Sequence, residues 1–203
     1  MFSLVQVKKF LSSDDFKSGS HVLIVGGELF DSSSIPITQE LLDFFEYIAN
    51  KQLTNDIDLL YLNTNLIYDI DLLCNCLDIL NNKNLLNRLK FTTSYDIYGR
   101  FKSKNDEMLF FSNLKKLKTI YSDLSVVINT IMTKQFCEKE LSAVEPIATM
   151  FKSKYAAYVN LIPYITIDDE LTPNRNDVFK VLKKQDQFNP GYLKQYIENF
   201  DLP

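Results

Sequence analysis

The clearest pattern in this sequence is a repeated alternation of short apolar runs with longer amphipathic segments. The apolar runs start at intervals of roughly 31 to 36 residues, and each is long enough for one strand. They are HVLIV (21–25), IDLLYLN (57–63), LKFTT (89–93), SVVINTI (125–131) and AAYVNLI (156–162). Continuous apolar runs without polar alternation predict parallel strands that are covered on both faces.

The segments between these runs place apolar residues three and four positions apart, which is the spacing of an amphipathic helix. One predicted helix lies in DIDLLCNCLDIL (69–80). Three further stripes are formed by Ile37, Leu41, Phe44, Phe45 and Ile48, by Phe110, Leu114, Leu117 and Tyr121, and by Cys137, Leu141, Val144, Ala148 and Phe151. Helices between parallel strands are the repeating unit of α/β folds. Because five units cannot close an eight-stranded barrel, the pattern indicates an open doubly wound sheet or a partial barrel.

The two ends of the chain add helices to this array, and the whole is predicted to form a single domain, 1–203. Residues 1–20 place Leu4, Val7 and Leu11 at helical spacing and are interpreted as the remnant of a first helix. The βα array spans 21–165. A C-terminal helical extension, 166–203, is predicted to contain helices near 175–184 and 190–199. Docking on the array is the default expectation, and the alternative is an amphipathic partner-binding helix.

The composition is that of an ordinary folded protein and argues against several functional classes. Apolar residues make up 46% of the chain and charged residues 24%, with a net charge of −4. There is no basic block or arginine-rich stripe of the kind that binds nucleic acid. The apolar runs fall far short of the ~20 residues that span a membrane, and the N-terminus lacks the apolar core of a signal peptide. These features predict a soluble, cytoplasmic protein.

The three cysteines, Cys74, Cys76 and Cys137, do not suggest a disulfide framework, because their number is odd. Cys74 and Cys76 lie two positions apart in a predicted helix, so they point toward roughly opposite faces. No histidine or further cysteine lies nearby at a ligand spacing. The pattern therefore favours small buried side chains over a metal site.

Polar residues and glycines accompany the ends of all five predicted strands. In chain order they are Gly26-Gly27-Glu28, Asn63-Thr64-Asn65, Ser94-Tyr95-Asp96, Asn129-Thr130, and Asn160 with Pro163. Ligands of open sheets and of barrels meet the carboxyl ends of the strands, so these residues could form one polar rim. The alternative is structural, since strand ends commonly use Asn, Ser and Asp to end the ladder and to cap the next helix. The residues alone leave both interpretations open.

The order and spacing of these strand ends resemble the radical S-adenosylmethionine superfamily, whose core is a partial (βα)6 barrel. In that family the second strand ends in Gly-Gly-Glu-Pro, which VGGELF resembles at 26–28, with Leu29 in place of Pro. The third strand commonly ends in Thr-Asn-Gly, and LNTNLIY keeps Thr64 and Asn65 but has Leu66. The fourth often carries Ser-x-Asp, which TTSYDIYGRF resembles at 94–96.

The resemblance runs from about residue 20 to residue 165 and implies a fold and a site. The fold would be α/β, a partial TIM-like (βα) barrel of about five parallel strands with flanking helices and a helical C-terminal tail. S-adenosylmethionine is the cofactor that the family binds, although nothing in the residues makes its binding certain. The residues implied to bind it are Gly26, Gly27, Glu28, Thr64, Asn65, Ser94, Asp96 and Asn129.

The sequence departs from the family at its defining feature, a Cys-x3-Cys-x2-Cys loop that holds a [4Fe–4S] cluster. That loop would lie upstream of the Gly-Gly-Glu strand, and the twenty residues before His21 contain no cysteine. We therefore expect no cluster from this chain alone and no activity of it alone as a radical enzyme. The leading interpretation is a non-catalytic pseudoenzyme that acts through protein contacts. The alternatives are one part of a split radical enzyme completed by another chain, and an α/β protein that binds a nucleotide or S-adenosylmethionine.

The missing first strand also has a consequence for partners. It would leave an apolar edge beside 21–25, and an edge strand with free N–H and C=O groups invites pairing with another chain. We expect this edge to be covered by residues 1–20, by a second copy in a homodimer, or by another protein chain.

Overall fold

A computed structural model describes residues 4–13, 15–24, 29–30, 38–95, 101–164, 170–192 and 194. Within these residues, five strands alternate with α-helices in the order that the sequence predicts. The strands are β1 (Ser20–Ile24), β2 (Ile57–Asn63), β3 (Leu89–Ser94), β4 (Val126–Met132) and β5 (Tyr158–Pro163). The helices are α1 (Leu4–Leu11), α2 (Thr38–Leu53), α3 (Asp71–Asn82), α4 (Lys104–Ile120), α5 (Lys134–Ser142), α6 (Ile147–Tyr155) and α7 (Arg175–Phe188).

The strands pair in parallel: β1 with β2, β2 with β3, and β4 with β5. In the part of the chain that the structure describes, β1 and β5 each have one strand neighbour, so the sheet is not closed. The α/β class with five parallel strands and flanking helices is confirmed, and the open arrangement is consistent with a partial barrel.

The chain folds as two compact units, Met1–Thr93 with Lys104–Val126 and Ser94–Ser103 with Val127–Pro203. The first unit holds α1 to α4 and the first three strands. The second holds α5 to α7, β5 and β4 from Val127 onward. The organisation of 1–203 as a single domain, with subdivisions at 20 and 165, stays a prediction.

In the first unit, one face of the strands is buried and the other is open. Leu60 and Leu62 on β2 stand beside Leu89 and Phe91 on β3, and all four are buried. α2 packs on β2 and on α3. On the opposite face Leu23 is 61% exposed. The prediction that the strands are covered on both faces is therefore wrong at Leu23.

The second unit repeats this arrangement. Ile128 on β4 and Leu161 on β5 belong to the buried face, and α6 packs on β5. On the other face Tyr158 is 63% exposed and Ile131 is also exposed. α7 packs on α5 and α6, and the Tyr192 hydroxyl donates to the Val159 carbonyl at 3.1 Å. This part of the C-terminal extension therefore docks on the array as predicted; most of the helix predicted near 190–199 lies outside the described residues.

One predicted helix is two helices in the structure. The apolar stripe from Cys137 to Phe151 is interrupted between α5 and α6, and Val144 is 95% exposed rather than buried. Pro146 is the N-cap of α6 with extended backbone, and a proline disfavours the helical conformation in the residue before it. The stripe has helical spacing across the break by coincidence.

Candidate functional site

Four of the eight residues implied to bind a cofactor can be placed in the structure. Thr64 and Asn65 belong to the first unit, and Ser94 and Asn129 belong to the second. The other four, Gly26, Gly27, Glu28 and Asp96, lie outside the described residues. The two described pairs are considered separately below.

In the first unit, the chain leaves β2 through a loop that is held by its own polar side chains. The Thr64 N–H donates to the Thr92 carbonyl at 3.2 Å, which extends the pairing with β3. The Thr64 hydroxyl is buried and lies 2.5 Å from the Tyr68 hydroxyl. Asn65 Oδ1 accepts from the Ile67 N–H at 2.9 Å, which closes an Asx turn. These contacts fix the path of the loop.

A buried amide side chain on α4, that of Asn113, also holds this loop in place. Asn113 Nδ2 donates to the Leu66 carbonyl at 3.0 Å and to the Tyr68 carbonyl at 2.7 Å. Sequence reasoning missed Asn113, although its position between Phe110 and Leu114 on the buried stripe of α4 was a usable signal. A buried amide in an apolar stripe needs partners, and here they are the loop carbonyls.

Leu66 has the backbone conformation that glycine adopts most easily. Its φ is +60°, in the left-handed region, and its side chain is fully buried. A non-glycine residue there is strained by about 1–2 kcal/mol. The loop therefore takes a glycine-like turn with a leucine at its left-handed position.

In the second unit, the polar residues of β4 and β5 bond to each other and to the end of β3. Asn129 and Asn160 are neighbours in register, and Asn160 Nδ2 donates to Asn129 Oδ1 at 3.1 Å. The Tyr95 N–H donates to the Asn129 carbonyl at 2.9 Å. Ser94 is half-buried at the end of β3. These bonds support the structural interpretation of the strand ends, in which polar residues complete the ladder.

β1 is an edge strand among the described residues, and its Leu23 side chain is exposed. β1 pairs with β2 on one side, and its register shifts between Ser20 and His21. His21 Nε2 lies 3.5 Å from Asp58 Oδ2 on the neighbouring strand. Of the preceding residues, 4–13 and 15–19 contribute α1 and turns, and none of them pairs with β1.

The helix before β1, α1, packs on α2 and does not pair with β1. α1 packs on α2, with the Ser12 hydroxyl 2.6 Å from the Tyr47 hydroxyl. The described part of residues 1–20 therefore does not supply the strand that would cover the edge.

The cysteines do not fit an iron–sulfur cluster. All three are buried free thiols, on α3 and α5 as predicted. Burial raises the pKa of Cys76 to about 12 and that of Cys137 to about 11. Among the described residues, no group of three or more His, Cys, Asp and Glu side chains is arranged to hold a metal. None of the described helices is both long and apolar enough to cross a bilayer.

The chain matches no protein-family profile, no curated protein and no solved structure. The radical S-adenosylmethionine resemblance therefore rests on the residues quoted above and stays a prediction.

Proposed function

We propose that this chain is a non-catalytic, radical S-adenosylmethionine-like protein that works in the cytoplasm by binding another polypeptide along β1. The partner would add a strand to the sheet, since main-chain N–H and C=O groups at a free edge supply affinity and alternate side chains supply specificity. The observation that carries the proposal is the free edge itself: among the described residues β1 has a strand neighbour on one side only, and the helix before it, α1, packs on α2.

The sequence of β1 supports this interpretation. Proteins protect a free edge with charged side chains, with proline or with strong bulges. β1, SHVLI, contains no Lys, Arg, Asp, Glu or Pro, and it exposes Leu23. The irregularity between Ser20 and His21 lies at the start of the strand and leaves the register from His21 to Ile24 continuous. Such an edge is suited to pairing.

The proposal is tested by site-specific photo-crosslinking in cells of the source organism. A benzophenone side chain at position 21, on the exposed face of β1, should give a discrete adduct, whereas the same group at position 53 should not. Leu53 is a matched control because it is 54% exposed and belongs to the same unit. An adduct of twice the chain's mass identifies a second copy, and any other mass identifies a different protein.

The adduct must also depend on the edge. Leu23→Lys places a charge on the exposed face and should abolish the adduct, whereas Leu53→Lys should leave it unchanged. Equal labelling from positions 21 and 53, or an adduct that survives Leu23→Lys, would contradict strand addition at β1.

A second candidate is one part of a split radical enzyme, and the left-handed backbone at Leu66 favours it. A glycine-like turn at the motif position is what a retained cofactor loop would need. Any iron would have to be held by the partner chain, because the cysteines of this one do not fit it. Equilibrium dialysis with S-adenosylmethionine and with adenosine, and iron analysis with a visible spectrum of the isolated complex, test this candidate. Absence of both iron and S-adenosylmethionine binding would eliminate it.

A further inference from the structure

The core of the first unit is unfinished at the edge strand β1. Val22 and Ile24 stand in register with Leu60 and Leu62 on β2. Leu60 and Leu62 are fully buried, whereas Val22 and Ile24 are only partly buried. Among the described residues, no strand lies on the other side of β1. Apolar side chains of a further strand at that position would complete the burial of Val22 and Ile24.

The helix α1 lies toward this edge. α1 and α3 both pack on α2. The Tyr47 hydroxyl of α2 lies 2.6 Å from the Ser12 hydroxyl directly after α1, whereas the neighbouring Glu46 pairs with Lys83 directly after α3. Helical geometry puts Glu46 and Tyr47 on opposite flanks of the buried stripe of α2. Because α3 leads into β3, on the far side of β2 from β1, α1 extends the row of helices toward β1.

The position of α1 relative to the strands follows from two spacings. Packed helices lie about 8–10 Å apart, and neighbouring strands lie about 4.8 Å apart, so one helix spans about two strands. α2 packs on β2. α1, one helix further along the row, therefore lies over the position next to β1. A strand added to the free edge would take this position and would be covered by α1.

An exposed aromatic ring on α1 is directed toward the same position. Leu11 is buried, and Phe10 and Ser12 lie on either side of it around the helix. Ser12 meets Tyr47 on the outer flank of α2, so Phe10 lies on the flank nearer the strands. Its ring contacts that of Phe16, in the segment that leads into β1, with centroids 6.1 Å apart. Phe10 is still 55% exposed, so its ring can pack on an added strand.

The position of α1 also argues against a second copy as the source of that strand. Two copies joined by antiparallel β1 strands about a twofold axis would have both helix layers on one side of the sheet. α1 of one copy would lie over β1 of the other, about one strand spacing from that copy's α2, which is closer than helices pack. The five residues of β1 are also few beside the roughly 20–30 residues that each partner contributes to a stable interface.

We propose that the partner at β1 contributes a lone extended segment, with apolar side chains at alternate positions, that pairs with β1 beneath α1. The apolar side chains pack against Phe10 and continue the core past Val22 and Ile24. The alternate side chains lie beside His21 and Leu23 on the open face, where polar residues are tolerated. The inference rests on the proposed function and names the class of partner: a peptide segment, not the edge of another helix-covered sheet.

The test uses a fluorescein-labelled peptide, Lys-Thr-Val-Thr-Val-Thr-Val-Thr-Lys, which is titrated with the full chain and followed by fluorescence anisotropy. Saturable binding is expected. A control peptide of the same composition, Lys-Thr-Thr-Val-Val-Val-Thr-Thr-Lys, lacks the alternation and should bind at least tenfold more weakly. Two further peptides are N-methylated, one at the valines and one at the threonines. Because alternate N–H groups of a strand point to opposite edges, one of these should keep the parent's affinity and the other should lose it.

A pair of variants isolates the contribution of α1. Phe10→Ser should lower the affinity for the alternating peptide at least tenfold. Val5→Ser is the matched control, because Val5 is 69% exposed on the same helix and lies away from Phe10 around its axis. An unchanged urea midpoint in both variants shows that α1 remains packed. The comparison of the peptides on the unmodified chain keeps the proposal testable if Phe10→Ser does not fold.

The proposed function and this inference fail in different ways. Absence of an adduct from position 21 in cells contradicts strand addition itself. An adduct of twice the chain's mass keeps strand addition and overturns the lone segment. The inference is also overturned by unsaturable peptide binding, by equal affinity for the alternating and control peptides, by equal affinity for the two N-methylated peptides, or by full affinity in Phe10→Ser.

Discussion

Replacing Leu66 by glycine and by alanine tests the unusual backbone of the loop after β2. At most buried positions glycine is the worse replacement for leucine, because it loses more conformational freedom on folding than alanine does. At Leu66 the order should be reversed, since its φ of +60° strains alanine but not glycine.

The expected magnitudes follow from burial and backbone. Leu66 is fully buried, so Leu66→Ala should cost about 3 kcal/mol of unfolding free energy, within the range for Leu→Ala in a core. Leu66→Gly then regains about 1–2 kcal/mol of left-handed strain and loses about 0.5–1 kcal/mol to backbone entropy. Leu66→Gly should therefore be more stable than Leu66→Ala, by about 0.75 kcal/mol at the middle of these ranges, and both should be less stable than the parent.

Leu62 provides the matched control. It is equally buried but lies within β2, where the backbone is extended. There the glycine variant should be less stable than the alanine variant by about 0.5–1 kcal/mol. All four variants are compared by urea denaturation with linear extrapolation. The reasoning is refuted if glycine is the worse replacement at both positions.

Three further predictions concern other parts of the chain. Ala156 follows α6 with a left-handed φ of +47°, so Ala156→Gly should raise the unfolding free energy by about 0.5–1 kcal/mol. The control is Ala143→Gly, which follows α5 at φ −67° and should lower the unfolding free energy. Urea denaturation measures both changes. Asn113→Asp sets a carboxylate against two carbonyl oxygens and should cost at least about 3 kcal/mol by the same measurement; a near-neutral effect would contradict the role given to this amide. With a pKa of about 12, Cys76 should be about one part in ten thousand thiolate at pH 8, and Cys137, with a pKa of about 11, should also be almost entirely protonated. Both should therefore react with a thiol reagent only after unfolding. Rapid labelling of either cysteine in the native chain, located by mass spectrometry, would contradict this.

The strands could be predicted from the sequence because each is a compact apolar run. β2 has the predicted bounds, and the other four are displaced by at most two residues. The amphipathic patterns also predicted the positions of α2, α3, α4 and α7. The break between α5 and α6 could not be found from periodicity, since Val144 continues the stripe; Pro146 was the better signal.

The contacts of the candidate site residues could not be predicted from the sequence. Sequence patterns identify the polar residues at strand ends but not what they bond to, and Asn129 meets a neighbour, Asn160, that is 31 residues away. The buried hydrogen bonds of Glu140 depend on three helices meeting, because the Ile147 N–H belongs to α6 and Gln185 Nε2 belongs to α7.

The pairing of strands that are adjacent in the chain also affects how the protein is made. β1 finds β2, β2 finds β3 and β4 finds β5, each across a single helical crossover or a pair of short helices. Pairing between strands that follow one another in the chain incurs less loop-closure entropy than pairing between more distant strands would. During synthesis on the ribosome, β1 can therefore pair as soon as β2 has emerged, and assembly can keep pace with translation from the N-terminal end onward.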